Sequence, residues 1–155
     1  MSTGIERFRA DAADRGIRVE IVSRGRARSL EEAAELLGIT PARIVKTLVV
    51  KRHDGSFVFA LIPGGRKISW AKLRRLLAVN KLSLPDADTA KAVTGYERGT
   101  ITVLGSETAL PVVADATISG SVAIGAGDHE HSARVDAAPY LSAVDATIAD
   151  ISDPE

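Results

Sequence analysis

The 155-residue chain contains no cysteine, which removes disulfides, thiolate nucleophiles and cysteine-ligated zinc together. Aromatic residues are only 4%, with one Trp and three Phe, so stacking platforms for single-stranded RNA are few. Net charge is absent too: 20 basic residues balance 20 acidic ones, whereas proteins that coat nucleic acid non-specifically carry a basic excess. No apolar run approaches the length that spans a bilayer, and the opening MSTGIERFRADAADRG is too polar and acidic for a signal peptide. These absences fit a cytoplasmic protein. Neither GxxxxGK[ST] nor a GxGxxG following a strand occurs, which speaks against nucleoside-triphosphate and dinucleotide chemistry. With three histidines and no G-x-S-x-G elbow, a serine hydrolase has little support.

What is present suits one soluble domain over residues 1–155: the chain is 45% hydrophobic and too short for two full domains. Its centre is the stretch TPARIVKTLVVKRHDGSFVFALIPGG, residues 40–65. Two β-branched and aromatic runs, Ile44 to Lys51 and Phe57 to Ile62, flank an Asp54-Gly55 pair, the signature of a β-hairpin. The second run is apolar at both parities and predicts a strand covered on both faces. In the first, alternation puts Lys46 on the side of Ile44, Leu48 and Val50, with Thr47 opposite beside Val45 and Val49. A lysine there either snorkels to an edge or sits in a cleft with a task to perform.

Around this hairpin the spacing predicts a helix over Gly4 to Asp14 stopping at Gly16, and a short strand through Ile17, Val19 and Ile21. Arg24, Arg26 and Arg28 follow, as a solvated loop or a small phosphate-contacting patch. Ser29 and Glu32 match a capping box for a helix that ends at Gly38, and Thr40-Pro41 starts a further turn. Ser69 caps a helix from Trp70 to about Val79 with Leu73, Leu76 and Leu77 inward. Its outer side, with Lys67, Lys72, Arg74, Arg75 and Lys81, is the densest positive region in the chain. Asp86 or Asp88 caps another helix ending at Gly95. Gly95 to Gly105 reads as a loop whose glycine amides can approach a ligand. Strands are predicted at Leu110 to Ala114, Ser121 to Gly125 and Ser132 to Val135, and a closing helix at Ala138 to Val144. Asp128, His129, Glu130 and His131 resemble metal ligands by type, but neighbours on a turn diverge and no HExxH spacing converges them, so no metal is expected.

The order Gly38-Ile39-x-Pro41-x-x-Ile44-Val45-Lys46-Thr47-Leu48, then Leu61-Ile62-Pro63-Gly64, Gly95-Tyr96-x-x-Gly99, Leu110-Pro111-Val112 and the turn Gly125 to Gly127 resembles the YbaK/EbsC family of free-standing editing domains, related to the insertion domain of bacterial prolyl-tRNA synthetase. Five motifs in this order cover nearly the whole chain. The resemblance implies an α/β (α+β) domain whose curved mixed β-sheet is close to a barrel and flanked by helices. It also implies hydrolysis of a mischarged tRNA ester releasing a small amino acid such as Cys or Ala, on tRNA(Pro), with no cofactor and with prolyl-tRNA synthetase or another synthetase as a partner. The family lysine matches Lys46, holding the substrate end. Thr47, Gly64, Gly95, Tyr96, Gly99, Thr100, Ile101, Thr102, Gly125 and Gly127 match the substrate-binding positions. Val103 stands where many members have proline, and Ala126 where an all-glycine run is frequent. The alternative reading is a non-catalytic module that binds a synthetase, a tRNA end or a nucleotide-like ligand.

Overall fold

Residues 3–155 are described by a computed structural model. In chain order its elements are α1 (Gly4–Asp14), β1 (Glu20–Ser23), α2 (Leu30–Leu37), a 3-10 turn (Pro41–Arg43), β2 (Val45–Arg52), β3 (Phe57–Pro63), β4 (Arg66–Ile68), α3 (Trp70–Leu77), β5 (Leu82–Ser83) and α4 (Ala87–Thr94). The second half adds β6 (Val112–Asp115), β7 (Ser121–Gly125), β8 (His131–Asp136), α5 (Ala137–Ala143), β9 (Thr147–Ala149) and β10 (Ser152–Pro154).

The β2–β3 hairpin is the middle of a five-stranded mixed sheet ordered β5-β2-β3-β6-β9, with β3–β6 and β6–β9 parallel. An antiparallel sheet β1-β8-β7 and a two-stranded ribbon β10-β4 complete the fold. The mixed α/β architecture is the one expected, but the large sheet does not close, because β5 and β9 remain its edges. A single parallel bridge, Ile44 to Ala123, joins the start of β2 to β7.

The apolar run of β3 explains this layering. Phe59 and Leu61 face one core with Phe8, Val112 and Tyr140; Val58, Ala60 and Ile62 face a second under α3 with Leu73 and Ile151. Each large side chain so covered contributes about 1.5–3 kcal/mol over exposure.

Local signals set the helix ends. Ser29, Ser69 and Asp86 each accept a hydrogen bond from the amide three residues on, and Gly38 and Gly95 end their helices in the left-handed conformation. At Ser29 the box is half made: Glu32 lies 3.4 Å from Arg28 instead of returning to the cap amide. Thr40 makes no side-chain cap. The helix at Ser69 stops at Leu77, and Leu76 is 41% exposed, so the inward stripe is Leu73 with partial help from Leu77. The first strand starts only at Glu20, although Ile17 and Val19 still pack on the core. The short strands β4, β5, β9 and β10 carry no pattern long enough to read.

Asp115 locks the last strands down. It is 1% exposed and accepts from the amides of Thr117 and Ile151, at 3.1 Å each, and from the Thr117 hydroxyl. Burial pushes its pKa up, but these hydrogen bonds outweigh it and hold the carboxyl below its ordinary value. A depressed folded pKa stabilises above the unfolded value of about 3.9 and loses that contribution as pH falls through the folded one. Asp115→Asn is therefore expected to cost about 1–3 kcal/mol at pH 7, with donors facing an amide NH2. In thermal melts the gap from wild type should narrow below about pH 4; a gap independent of pH would contradict the assignment.

Candidate functional site at the start of the lysine strand

Lys46 lies near the start of β2, opposite Ile62, on the face that carries Leu48 and Val50 toward α3. Its side chain is 28% exposed. The ammonium donates to the Arg66 carbonyl at 2.7 Å and has the Glu155 carboxylate at 3.8 Å. One acceptor fixes it; an ammonium has three donors, so two remain for solvent or a ligand.

The isolated parallel Ile44–Ala123 bridge sets the start of β2 beside β7, two residues before Lys46 on one strand and two before Gly125 on the other. There the loop after α4 sits over β7. A Cβ on Gly125 would lie 2.7 Å from the Ile101 carbonyl oxygen and 3.2 Å from that of Thr100. The two stretches singled out in the sequence, lysine strand and glycine loop, thus meet at β7.

Several loop glycines meet protein rather than open space. A Cβ at Gly95 would strike Glu107 and Arg7, one at Gly105 the Tyr96 hydroxyl and the Arg7 backbone, and one at Gly127 the Gly4 backbone at 2.6 Å. Gly64 lets β3 pass against the Pro41 carbonyl, and its amide donates to the Ile44 carbonyl at 2.8 Å. Gly99 is the open one: the His129 ring, at 4.0 Å, is its nearest approach. Arg7 clamps the loop, donating to the carbonyls of Gly95 at 2.8 Å and Gly105 at 3.2 Å and stacking 4.8 Å over the Tyr96 ring. Tyr96 is buried, donates to the Leu104 carbonyl at 2.7 Å, and has its pKa pushed up to about 12 by that burial. Nothing in the sequence separates Arg7 from any solvated arginine on α1.

The loop amides divide accordingly. Those of Gly95, Tyr96, Thr100 and Gly105 are engaged, the last by the Asp11 carboxylate at 2.8 Å. The amides of Glu97, Arg98, Gly99, Ile101, Thr102, Val103 and Leu104 have no acceptor among the described residues, those of Gly99, Ile101 and Thr102 lying around the point where the loop crosses β7. Thr47, Thr102 and Tyr140 each bury a hydroxyl with no hydrogen-bond partner. Thr47 points to the face opposite Lys46, with Val45 and Val49. The Thr102 hydroxyl is near enough to Tyr140 to pull its pKa down against the dominant upward push of burial, yet lies outside hydrogen-bond geometry.

The turn after β7 is fastened from both sides. His129 Nε2 lies 2.9 Å from the Glu97 carboxylate, and His131 Nδ1 2.8 Å from Asp128. The His129 hydrogen bond, then Lys91, holds the Glu97 carboxyl below its usual range. Arg24 donates to the Ser132 hydroxyl at 2.8 Å and the His129 carbonyl at 3.0 Å, so this arginine braces the turn rather than lying solvated. No group of three or more His, Asp or Glu among the described residues converges as a metal would require. One open hollow of about 610 Å³ is lined by Arg15, Arg18, Arg134 and α5, away from Lys46; another, lined by Asp88, Lys91, Gly95 and Glu107, borders the start of the glycine loop.

Lysine strand, clamped glycine loop and fastened turn thus sit on neighbouring elements of one fold. Residues 25–142 match the family model described as "Aminoacyl-tRNA editing domain", and the chain belongs to that family, as its resemblance to YbaK/EbsC domains implied. Among curated relatives, the proline–tRNA ligase of Lactobacillus gasseri is 29% identical over 84% of this chain and 23% of its own length. That of Desulforamulus reducens is 30% identical over 81% of this chain and 22% of its own. The chain thus spans less than a quarter of either ligase. A solved structure described as a candidate trans-editing enzyme for prolyl tRNA synthetase shares the fold, with TM-score 0.90, 24% identity and 99% of both chains covered. A scaffold protein used to present linear epitopes shares it at TM-score 0.89 and 25% identity, over the full length of both chains. No described helix is long and apolar enough to cross a membrane.

Proposed function

We propose that this chain is an aminoacyl-tRNA deacylase acting in trans, which hydrolyses the ester of a mischarged tRNA carrying a small amino acid such as alanine or cysteine, on tRNA(Pro). The observation that carries the reading is that β7 is bridged at Ala123 to the start of the lysine strand and crossed at Gly125 by the Thr100–Ile101 loop.

The Lys46 ammonium and the partnerless amides of Gly99, Ile101 and Thr102 supply donors for an ester carbonyl that turns tetrahedral. Water, or a hydroxyl or thiol of the substrate, attacks the carbonyl carbon and the carbonyl electron pair moves onto oxygen. Collapse expels the ribose oxygen, which takes a proton, leaving free amino acid and tRNA when water attacks. The protein contributes position rather than a nucleophile. An apolar pocket discriminates by only about 1–3 kcal/mol per methylene, so exclusion by size is the effective sieve. The relation to proline–tRNA ligases makes that synthetase the proposed partner.

The test is a deacylation panel of tRNAs charged with alanine, cysteine, serine and proline, with and without prolyl-tRNA synthetase. Cleavage of one small-residue ester well above the rate in buffer is expected. Buffer-level rates throughout, with retained affinity for tRNA or synthetase, would replace the enzyme by a binding module.

A further inference from the structure

Between Asp54 and Asp86 the chain has no acidic residue and six basic ones: Arg66, Lys67, Lys72, Arg74, Arg75 and Lys81. Two are consumed within the fold. Arg66 donates to the Ser152 hydroxyl at 2.7 Å beside Asp115, and Lys72 reaches Asp150 and Asp153 at 3.0 Å each. Lys67, Arg74, Arg75 and Lys81 form no ion pair among the described residues.

Their placement is directional. Arg66, at the start of β4, holds the Lys46 ammonium through its carbonyl. Beyond α3, β5 pairs Ser83 and Leu82 with Lys51 and Arg52 at the other end of β2. The segment from β4 to β5 therefore runs along β2 for about 17 Å, five residues of strand, on the face that Lys46 shares. Arg74 and Arg75 sit in the last turn of α3, where cations complement the helix dipole, but Lys67 and Lys81 lie outside the helix and gain nothing from it. Elsewhere Arg24 is held by the turn after β7 and Arg43 by the Ser119 carbonyl, while Arg18, Arg26 and Arg98, free of ion pairs among the described residues, stand apart from one another in the chain rather than clustered as in this segment.

We infer that the strip Lys67, Arg74, Arg75 and Lys81 is the docking surface for the RNA backbone adjoining the aminoacylated end, leading the terminal ester to Lys46. This rests on the deacylase reading for its orientation. A row of unpaired cations beside a site on a protein of zero net charge gives local affinity for polyanions without general stickiness. Base identity plays no part, because such contacts position the ligand.

The experiment uses full-length protein, alanine-charged tRNA and uncharged tRNA. Arg74→Gln/Arg75→Gln and Lys67→Gln/Lys81→Gln are compared with Arg9→Gln/Arg18→Gln, a charge-matched pair away from the strip, after melting curves confirm folding. Each strip variant should lose about tenfold in tRNA affinity near 0.1 M salt, and the slope of log K against log salt should shrink by about 1–2. The control pair should follow wild type. Strip variants with wild-type slopes overturn the inference, and a loss of affinity only for an acidic synthetase surface, with RNA binding intact, overturns it as well. Should wild type hydrolyse no ester, the deacylase reading falls while the RNA-binding slopes still decide the strip.

Discussion

Lys46→Ala is expected to lower the deacylation rate by about 10² to 10³, the typical effect of removing one preorganised donor from a developing oxyanion. Stability should hardly move. The side chain makes one hydrogen bond, to the Arg66 carbonyl, and one long contact with the half-exposed Glu155, and exposed pairs of that kind are worth about 0–1 kcal/mol. The two readouts separate the roles: an enzyme whose rate collapses while its melting temperature holds uses the ammonium on substrate. A lysine that only covers an edge would show the reverse, with unchanged turnover and a shifted melt. Lys46→Arg refines the result, since a planar guanidinium keeps the charge but not its point-like placement.

Gly127→Ala is expected to cost about 3 kcal/mol: roughly 1–2 for a non-glycine at positive φ and 1–3 for overpacking. Gly127 has φ +91°, and a Cβ there would lie 2.6 Å from the Gly4 backbone and 2.9 Å from the Tyr96 ring. Gly4, reciprocally, has no room for a Cβ beside the Gly127 carbonyl. For a chain of this size the melting temperature should drop by roughly 10 °C. Gly16→Ala is the matched control: φ is +68° and nothing lies within 4 Å of its Cβ, so only the backbone share, about 1–2 kcal/mol, is lost. Equal losses at the two positions would mean that the close approach at Gly127 contributes nothing.

Glycine here shows where sequence reading reaches and where it stops. That Gly95 to Gly105 is an irregular loop with backbone freedom was legible, and so were the hairpin, its register about Asp54-Gly55, and the face on which Lys46 stands. These follow from alternation and turn chemistry, which are local. What fills the space left by each missing side chain is a tertiary fact. At Gly95, Gly105 and Gly127 it is Arg7, Glu107, Tyr96 and Gly4, all brought in by α1 or by the far end of the loop. The pairing of Glu97 with His129 likewise joins residues 32 apart, beyond any motif. The short strands β4 and β10 are invisible for a related reason: three residues bear no period, and they exist because Asp115 and the second core give Ile151 and Ser152 a place to bind. The basic strip was legible as composition. Its direction along β2 was not, because that depends on β5 pairing with Lys51.

The parallel pairing of β3 with β6 has a kinetic consequence. The β2–β3 hairpin can close at once across its tight turn, but Phe59 must wait for Val112, some 50 residues later, and Glu20 for Arg134, over 100 residues on. Such long-range closures slow folding toward the millisecond-to-second range. In the interval β3 presents FVFALIP, apolar on both sides, as an unpaired edge. Refolding yield should therefore fall with protein concentration well before stability becomes limiting, and the hairpin that carries the candidate lysine is also the segment by which two incomplete chains would first adhere.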